Sequence, residues 1–312
     1  MIGNILRLER SSIHDGPGLR TVVFLQGCSL NCMWCSTPES QYRMPKIGLS
    51  VEKCAGCESC VAVCPAGAVK VFDGKAAVDR TLCGLRHCDG VHSEPMCVSV
   101  CPNSAFTVYG RVMSAEEVVE EVLKDEIFFF HSGGGVTLSG GEPLEQPEFS
   151  AEILRLCRER GVHTALETSL FAQFQAAAHV LPYVDHLFID LKHLFPQRHR
   201  KLTGADNSTI LDNICRLKQT GFCGDLVIRV PLIPALNDDD ENLRKTVQFS
   251  IGLPGLLHLE LLPYHRLGIE TYRRLGIEYP IPDIRSPDQD YMNERAAFIK
   301  AIAPMLTVRV GG

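Results

Sequence analysis

"LRTVVFLQGCSLNCMWCSTPE", residues 19–39, decides how the rest of the chain is read. Leu19 to Gly27 is a short apolar run with no charge after Arg20, the pattern of a buried strand. It leads directly into a loop that holds Cys28, Cys32 and Cys35, with Trp34, the only tryptophan of the chain, just before the last of them. Structural zinc sites and electron-carrying iron–sulfur sites ordinarily take four protein ligands. A C-x3-C-x2-C loop offers three. It can wrap three corners of a cubane cluster and leave the fourth iron as an open coordination position, which makes the site one for chemistry. The alternative is a fourth ligand from elsewhere, such as His14.

Composition narrows the partners. The chain has 312 residues, 45% of them hydrophobic and 22% charged, which suits a soluble globular protein with a substantial core. A formal charge of −6 argues against nucleic acid or an anionic membrane as a general electrostatic partner. The start, "MIGNILRLERSSIHDG", lacks the apolar stretch of a signal peptide, and the apolar segment from Leu253 to Leu262 is broken by Pro254, His258 and Glu260. A cytoplasmic location is expected. Fourteen cysteines in such a chain read as metal ligands rather than disulfides. Eleven of them fall between Cys28 and Cys101.

Residues 50–103 are rich in Cys, Gly, Pro and Val, with short strand-like pieces such as Val69–Phe72, and read as a small inserted domain with a metal core. "CAGCESCVAVCP" places Cys54, Cys57, Cys60 and Cys64 in the C-x2-C-x2-C-x3-C-P run of bacterial ferredoxins. Cys83, Cys88, Cys97 and Cys101 form a second, looser set. Because the fourth cysteine of each run crosses over in two-cluster ferredoxins, one [4Fe–4S] cluster is assigned to Cys54, Cys57, Cys60 and Cys101. The other is assigned to Cys83, Cys88, Cys97 and Cys64. A pair of zinc sites is the competing assignment. His87 and His92 are read as loop residues.

Beyond the insert, strand and helix signals alternate. "SAEEVVEEVLK" (114–124) opens with Ser114 and Glu117 as a capping box. "SAEILRLCRERG" (150–161) predicts a helix that ends at glycine, and 209–220 is helical. "GGVTLSGGEP", "VHTALET", "VDHLFIDLK", "DLVIRVPLI" and "LLHLELLPY" predict strands. The alternation predicts an α/β fold with a parallel sheet and βα loops at the strands' carboxyl ends. Cys28, Glu142, Glu167, Asp190 and His265 fall at those ends.

With an aromatic residue before its last cysteine, the three-cysteine loop resembles the radical S-adenosylmethionine superfamily. "DGPGLRTVVFLQGC" before the loop and "GGGVTLSGGEP", "DLK" and "LLPYH" after it narrow the match. From about residue 10 to 270, in motif order, the chain is similar to the activating enzymes of glycyl radical enzymes, in the branch with a two-cluster ferredoxin insert. The resemblance implies a partial (β/α)6 TIM-type barrel, residues 1–49 and 104–312, with a ferredoxin-like insert at 50–103. It also implies an oxidoreductase that cleaves S-adenosylmethionine reductively and takes an α-hydrogen from a glycine of a partner glycyl radical enzyme.

Three [4Fe–4S] clusters, reduced flavodoxin or ferredoxin as electron donor, and anaerobic operation follow from that resemblance, with no side-chain base required. In this reading Gly140, Gly141 and Glu142 hold the methionine amino group. Lys192 takes the carboxylate beside Asp190 and Leu191, and His265 lies near the ribose. Trp34 and Ser36 flank the adenine, and Glu167, Thr168 and Asp190 offer oxygens to a monovalent cation. Asp15, Gly16, Gly18 and Arg20 are assigned to the partner's glycine loop. Arg229 either lines the site or makes a buried ion pair.

Two departures stand out: Ser36-Thr37 where relatives have His-Asn, and Leu170 where they commonly have glycine. Cys157 and Cys215 read as core, and Cys223 is unassigned. The rival functions are a radical S-adenosylmethionine enzyme acting on a small molecule or another peptide, and a non-catalytic electron carrier.

Overall fold

A computed structural model describes residues 1–88 and 94–311. The His87 side chain and His92 lie outside the described residues. In chain order the strands are β1 (Ile2–Ser12), β2 (Arg20–Leu25), β3 (Lys46–Leu49), β4 (Val69–Phe72), β5 (Lys75–Val78), β6 (Phe106–Tyr109) and β7 (Arg111–Ser114). They continue as β8 (Gly135–Gly140), β9 (His163–Thr168), β10 (His186–Asp190), β11 (Asp225–Leu232), β12 (Leu256–Pro263) and β13 (Val308–Val310).

One nine-stranded sheet runs β13-β12-β11-β10-β9-β8-β2-β1-β7. From β2 through β8 to β13 every neighbouring pair is parallel. Helices Pro147–Glu159, Phe174–Val180, Ser208–Cys215 and Asp240–Ser250 connect successive strands. The six longer parallel strands, β2 and β8–β12, form the expected partial barrel, and β13 adds a three-residue seventh. β1 and β7 extend the sheet antiparallel beyond β2.

The helices are held by one face. In Pro147–Glu159 the apolar positions Phe149, Ile153, Leu154 and Cys157 are buried against the strands, each full burial of a Leu or Ile stabilising by about 1.5–3 kcal/mol. The helix ends where Gly161 turns the chain at φ +72°. Ala115–Leu123 begins with the expected capping box, Ser114 Oγ accepting from the Glu117 amide at 3.1 Å and Glu117 Oε2 from the Ser114 amide at 2.7 Å. Cys157 is core, as expected, but Cys215 is exposed. The inward face of its helix carries Ile210, Asn213 and Ile214 instead.

A second small core gathers Ile47, Leu49, Val69, Ala76, Leu85 and Phe106 from β3, β6 and the residues between them, with cysteines packed against it. The hairpin β4–β5 lies within the insert. β3 and β6 pair antiparallel, Lys46 opposite Tyr109 and Leu49 opposite Phe106, and so frame the insert just outside residues 50–103.

Candidate active site at the carboxyl ends of the strands

Parallel alignment brings the ends of β2 and β8–β12 to one side of the molecule, and a cavity of about 240 Å³ opens there. That is many times the ~30 Å³ of a water molecule. Its wall contains Cys28, Cys32 and Cys35, together with the expected residues Trp34, Ser36, Gly140, Gly141, Glu167, Thr168, Asp190, Lys192 and His265. Ser139, Ser169, Ile233 and Tyr264 also line it, and sequence reasoning had not singled them out. Ser139 was within reach of strand alternation, since it shares a sheet face with Gly141 and donates to Glu167 Oε2 at 2.6 Å.

The cysteine loop is fixed by its backbone. Asn31 and Met33 donate to the carbonyls of Thr203 and Leu202 at 2.7 and 3.0 Å, and Gly27 donates to that of Ser40 at 2.7 Å. Burial pushes the Cys32 thiol up to about 12, with Cys35 and Asp190 adding to it and Lys192 opposing. Burial likewise raises Cys28 and Cys35. Thiolate is the ligating form, so three crowded, half-buried thiols suit a strongly cationic iron centre that replaces their protons. Among the described residues the cavity wall holds these three cysteines and no fourth. His14 is exposed and not part of the wall.

Across from the loop, Lys192 Nζ donates to Asp190 Oδ2 at 3.0 Å. Burial works against the lysine charge, but Asp190, by its charge and its hydrogen bond, holds it well above the usual range. Among the described residues lining the cavity, Lys192 is the one lysine or arginine, placed to meet a carboxylate. Glu167 and Asp190, expected beside a monovalent cation, already face Arg229 and Lys192. Burial pushes the Glu167 carboxyl up, Arg229 opposing this and Asp15 and Asp190 adding to it. Arg229 proves to be a buried ion pair: it reaches Glu167, Glu260 Oε2 at 2.7 Å and the His14 carbonyl at 2.6 Å, and lies 3.6 Å over the Phe188 ring.

Three expectations need correction. Glu142 does not face the cavity. It is 2% exposed, and its carboxylate accepts from Leu144 N at 3.2 Å, Thr168 Oγ1 at 2.5 Å, Ser169 N at 2.9 Å and Ser169 Oγ at 2.6 Å. It clamps the turn after β8 to the end of β9. Leu191 points away from the cavity into the hydrophobic core, as strand alternation requires between Asp190 and Lys192.

Arg20 is fully buried and unavailable to a peptide. Its guanidinium donates to Thr137 Oγ1 at 2.6 Å and to the carbonyls of Pro17, Val136 and His163, tying β2, β8 and β9 together. Asp15, Gly16 and Gly18 are partly exposed in the loop before β2. Gly18 has φ +67°, and a side chain there would strike the backbone of Ser132 and Gly134.

Two further cavities lie in the insert. One is lined by Cys54, Cys57, Cys60 and Cys101, the other by Cys64, Cys83, Cys88 and Cys97. Each cavity is thus walled by four cysteines. Amides point at the sulfurs: Gly56 and Ala76 at Cys54 Sγ (3.4 and 3.2 Å), Ala68 at Cys64 Sγ and Ala105 at Cys101 Sγ (both 3.3 Å). Such donors stabilise cluster-bound thiolates.

A radical SAM superfamily model matches residues 99–247 and a 4Fe-4S dicluster domain model matches residues 46–102. The isethionate sulfite-lyase activating enzyme of Nitratidesulfovibrio vulgaris is 38% identical over 90% of this chain and 90% of its own. The (2S)-3-sulfopropanediol dehydratase activating enzyme of Klebsiella oxytoca is 39% identical, covering 91% and 88%. The 4-hydroxyphenylacetate decarboxylase activating enzyme of Clostridioides difficile is 38% identical, covering 94% and 91%. The crystal structure of a radical SAM methyltransferase from Sphaerobacter thermophilus shares the fold, with a TM-score of 0.50 at 18% identity over 64% of this chain and 58% of its own. With relatives this similar along nearly its whole length, the chain belongs to the radical S-adenosylmethionine activating enzymes of glycyl radical enzymes, in the branch that carries a dicluster iron–sulfur insert.

Proposed function

We propose that this chain activates a partner glycyl radical enzyme, with Cys28, Cys32 and Cys35 as ligands of its site-differentiated cluster. When bound, that cluster and S-adenosylmethionine supply the reductive cleavage whose radical product takes an α-hydrogen from a glycine of the partner. The residues position and exclude. Lys192, charged and paired to Asp190, receives the methionine carboxylate, and the Gly140–Gly141 backbone receives the amino group. His265 serves the ribose, with Trp34 and Ser36 beside the adenine. Asp15, Gly16 and Gly18 lie on the path of the partner's glycine loop. Glu142 and Leu191 act from behind the wall, and Arg20 holds the barrel. Hydrogen leaves as an atom, so no side-chain base is needed; what the cavity must do is orient the reactants and keep water and stray donors out.

The division into a barrel (1–49 and 104–312) and an insert (50–103) belongs to the same reading, with β3 and β6 as the stem. So do two insert clusters on the crossed cysteine sets, reduced flavodoxin or ferredoxin as donor, and action in the cytoplasm. No helix of the described residues is long and apolar enough to cross a membrane. The relatives' named targets are a lyase, a dehydratase and a decarboxylase, and a glycyl radical enzyme of one of these kinds is the partner to try first.

One observation carries the proposal: the three-thiol loop, the Lys192–Asp190 pair and the Gly140–Gly141 turn converge on one cavity. The test is anaerobic co-incubation of the reduced protein, S-adenosylmethionine and the candidate partner. A glycine-centred doublet in electron paramagnetic resonance, with 5′-deoxyadenosine formed, is expected, and Cys32→Ala removes both. Cofactor cleavage retained by Cys32→Ala would defeat the open-cluster assignment.

A further inference from the structure

The two thiol sets of the insert differ in exposure and in what they border, and the difference sets a direction. This inference rests on reading the insert as electron donor to the three-cysteine loop. In the set of Cys54, Cys57, Cys60 and Cys101, Cys57 is exposed, whereas Cys64, Cys83, Cys88 and Cys97 are all half-buried. The cavity of Cys64, Cys83, Cys88 and Cys97 borders Ile47 on the stem strand β3. Phe106, 5% exposed, lines both and stands between the two thiol sets.

From the second cavity a protein bridge leads to the barrel. Arg80, three residues before Cys83, donates through one guanidinium nitrogen to the Ile47 carbonyl and through the other to the Arg274 carbonyl at 2.9 Å. Arg274 lies in the last turn of helix Ile269–Leu275. Before the first turn of that helix, Gly268 packs on the cysteine loop. A side-chain carbon there would stand 2.9 and 2.8 Å from the carbonyls of Cys35 and Ser36. A seven-residue helix is about 10 Å long, so this one element spans from Arg80 to the loop. Tyr272, 4% exposed, sits on the helix.

We propose that the insert is a two-step relay with a fixed direction. Electrons enter at the Cys54/Cys57/Cys60/Cys101 centre through its exposed face and pass by Phe106 to the Cys64/Cys83/Cys88/Cys97 centre. They then cross to the three-cysteine centre at the Arg80–Arg274 junction. Each passage moves one electron: the reduced flavodoxin or ferredoxin is oxidised by one and the three-cysteine centre is reduced by one. No bond forms or breaks. Arg80 is a positioning residue, since it docks the inner centre on the barrel without being a ligand.

The test follows the oxidation state of each centre in the anaerobic holoenzyme by rapid-freeze electron paramagnetic resonance after mixing with reduced flavodoxin. S-adenosylmethionine shifts only the signal of the three-cysteine centre and so identifies it. In Arg80→Ala the insert centres fill at the wild-type rate while the three-cysteine centre fills at least tenfold more slowly. Dithionite still reduces it directly. Arg80→Lys, able to keep one of the two bonds, falls between.

Should Arg80→Ala lose iron, Cys88→Ala and Cys57→Ala decide. The first leaves the outer centre reducible by the donor and the three-cysteine centre oxidised; the second blocks donor reduction of every remaining centre. Wild-type filling of the three-cysteine centre in Cys88→Ala, or donor reduction of the inner centre in Cys57→Ala, would overturn the relay order. Failure of the broader reading looks different: the dithionite-reduced wild-type protein would form no 5′-deoxyadenosine.

Discussion

Glu142→Gln separates two roles that the GGEP turn allows. If the carboxylate met the cofactor ammonium, the amide would keep one acceptor, the fold would be undisturbed and cofactor affinity would fall. The structure instead gives this carboxylate four internal donors, two on each oxygen. With glutamine, one oxygen becomes an NH2 group facing one hydroxyl and one backbone amide. The hydroxyl can rotate and accept; the backbone N–H of Leu144 or Ser169 cannot. A buried donor without an acceptor costs about 1–3 kcal/mol, and the surviving bonds lose charge assistance, which roughly halves them. Relief of the burial that raises the Glu142 carboxyl offsets part of this. The net is about 2 kcal/mol against the closed turn.

Local opening governs amide exchange, so exchange protection in segments 140–146 and 166–172 should drop roughly 30-fold, since 1.36 kcal/mol is tenfold. Mass spectrometry under anaerobic conditions reads this directly, and titration of the cluster signal with S-adenosylmethionine gives the affinity in parallel. Unchanged protection together with a tenfold weaker cofactor would refute the clamp and restore the direct contact.

Leu170 is fully buried at φ +57°, a conformation that costs a bulky side chain about 1–2 kcal/mol. Both Leu170→Ala and Leu170→Gly leave a hole worth about 2–5 kcal/mol, but only glycine releases the strain. Leu170→Gly should therefore unfold at the higher temperature of the two, by the equivalent of about 1 kcal/mol; the opposite order would show that the backbone is not strained. Burial lowers the His186 imidazole to about 4, Asp225 opposing and His163, Arg20 and Arg229 adding. The unfolded chain then takes up a proton near pH 6.5 that the folded chain refuses, so stability is full above that value and is lost as pH falls toward 4. Between about pH 6.5 and 5.5 this amounts to about 1 kcal/mol. Thermal unfolding of His186→Gln over that interval should show a shallower loss than the wild type, and an identical loss would sink the assignment.

Much of the barrel was legible because a buried parallel strand is an uninterrupted apolar run, and such runs do not depend on distant partners. The strands β8–β12 lie where those runs lie. β1 was not read as a strand. Its pairing with β2 slips between Ile5 and Arg7, so Ile5 and Leu6 are both buried and the two-residue alternation that marks a strand is lost. β13, at three residues, is too short to carry a period. Cys215 was misread because apolar neighbours on a short helix do not say which side faces the sheet; Asn213, which donates to the carbonyls of Leu170 and Ala172, takes the inward place.

Chemistry that depends on spacing within one short segment belonged to the sequence alone. The three-cysteine loop, the first ferredoxin run and their family resemblance all fall in that class, because a cluster takes most of its ligands from a single turn of chain. Charged residues were another matter. Glu142, Arg20 and Arg229 each occur in a motif that reads as ligand-facing. Whether their polar atoms meet a ligand or their own fold is set by hydrogen-bond partners as far as 27, 143 and 215 residues away. A carboxylate or guanidinium taken out of water must find partners wherever the packed chain brings them, and only the tertiary structure decides where that is.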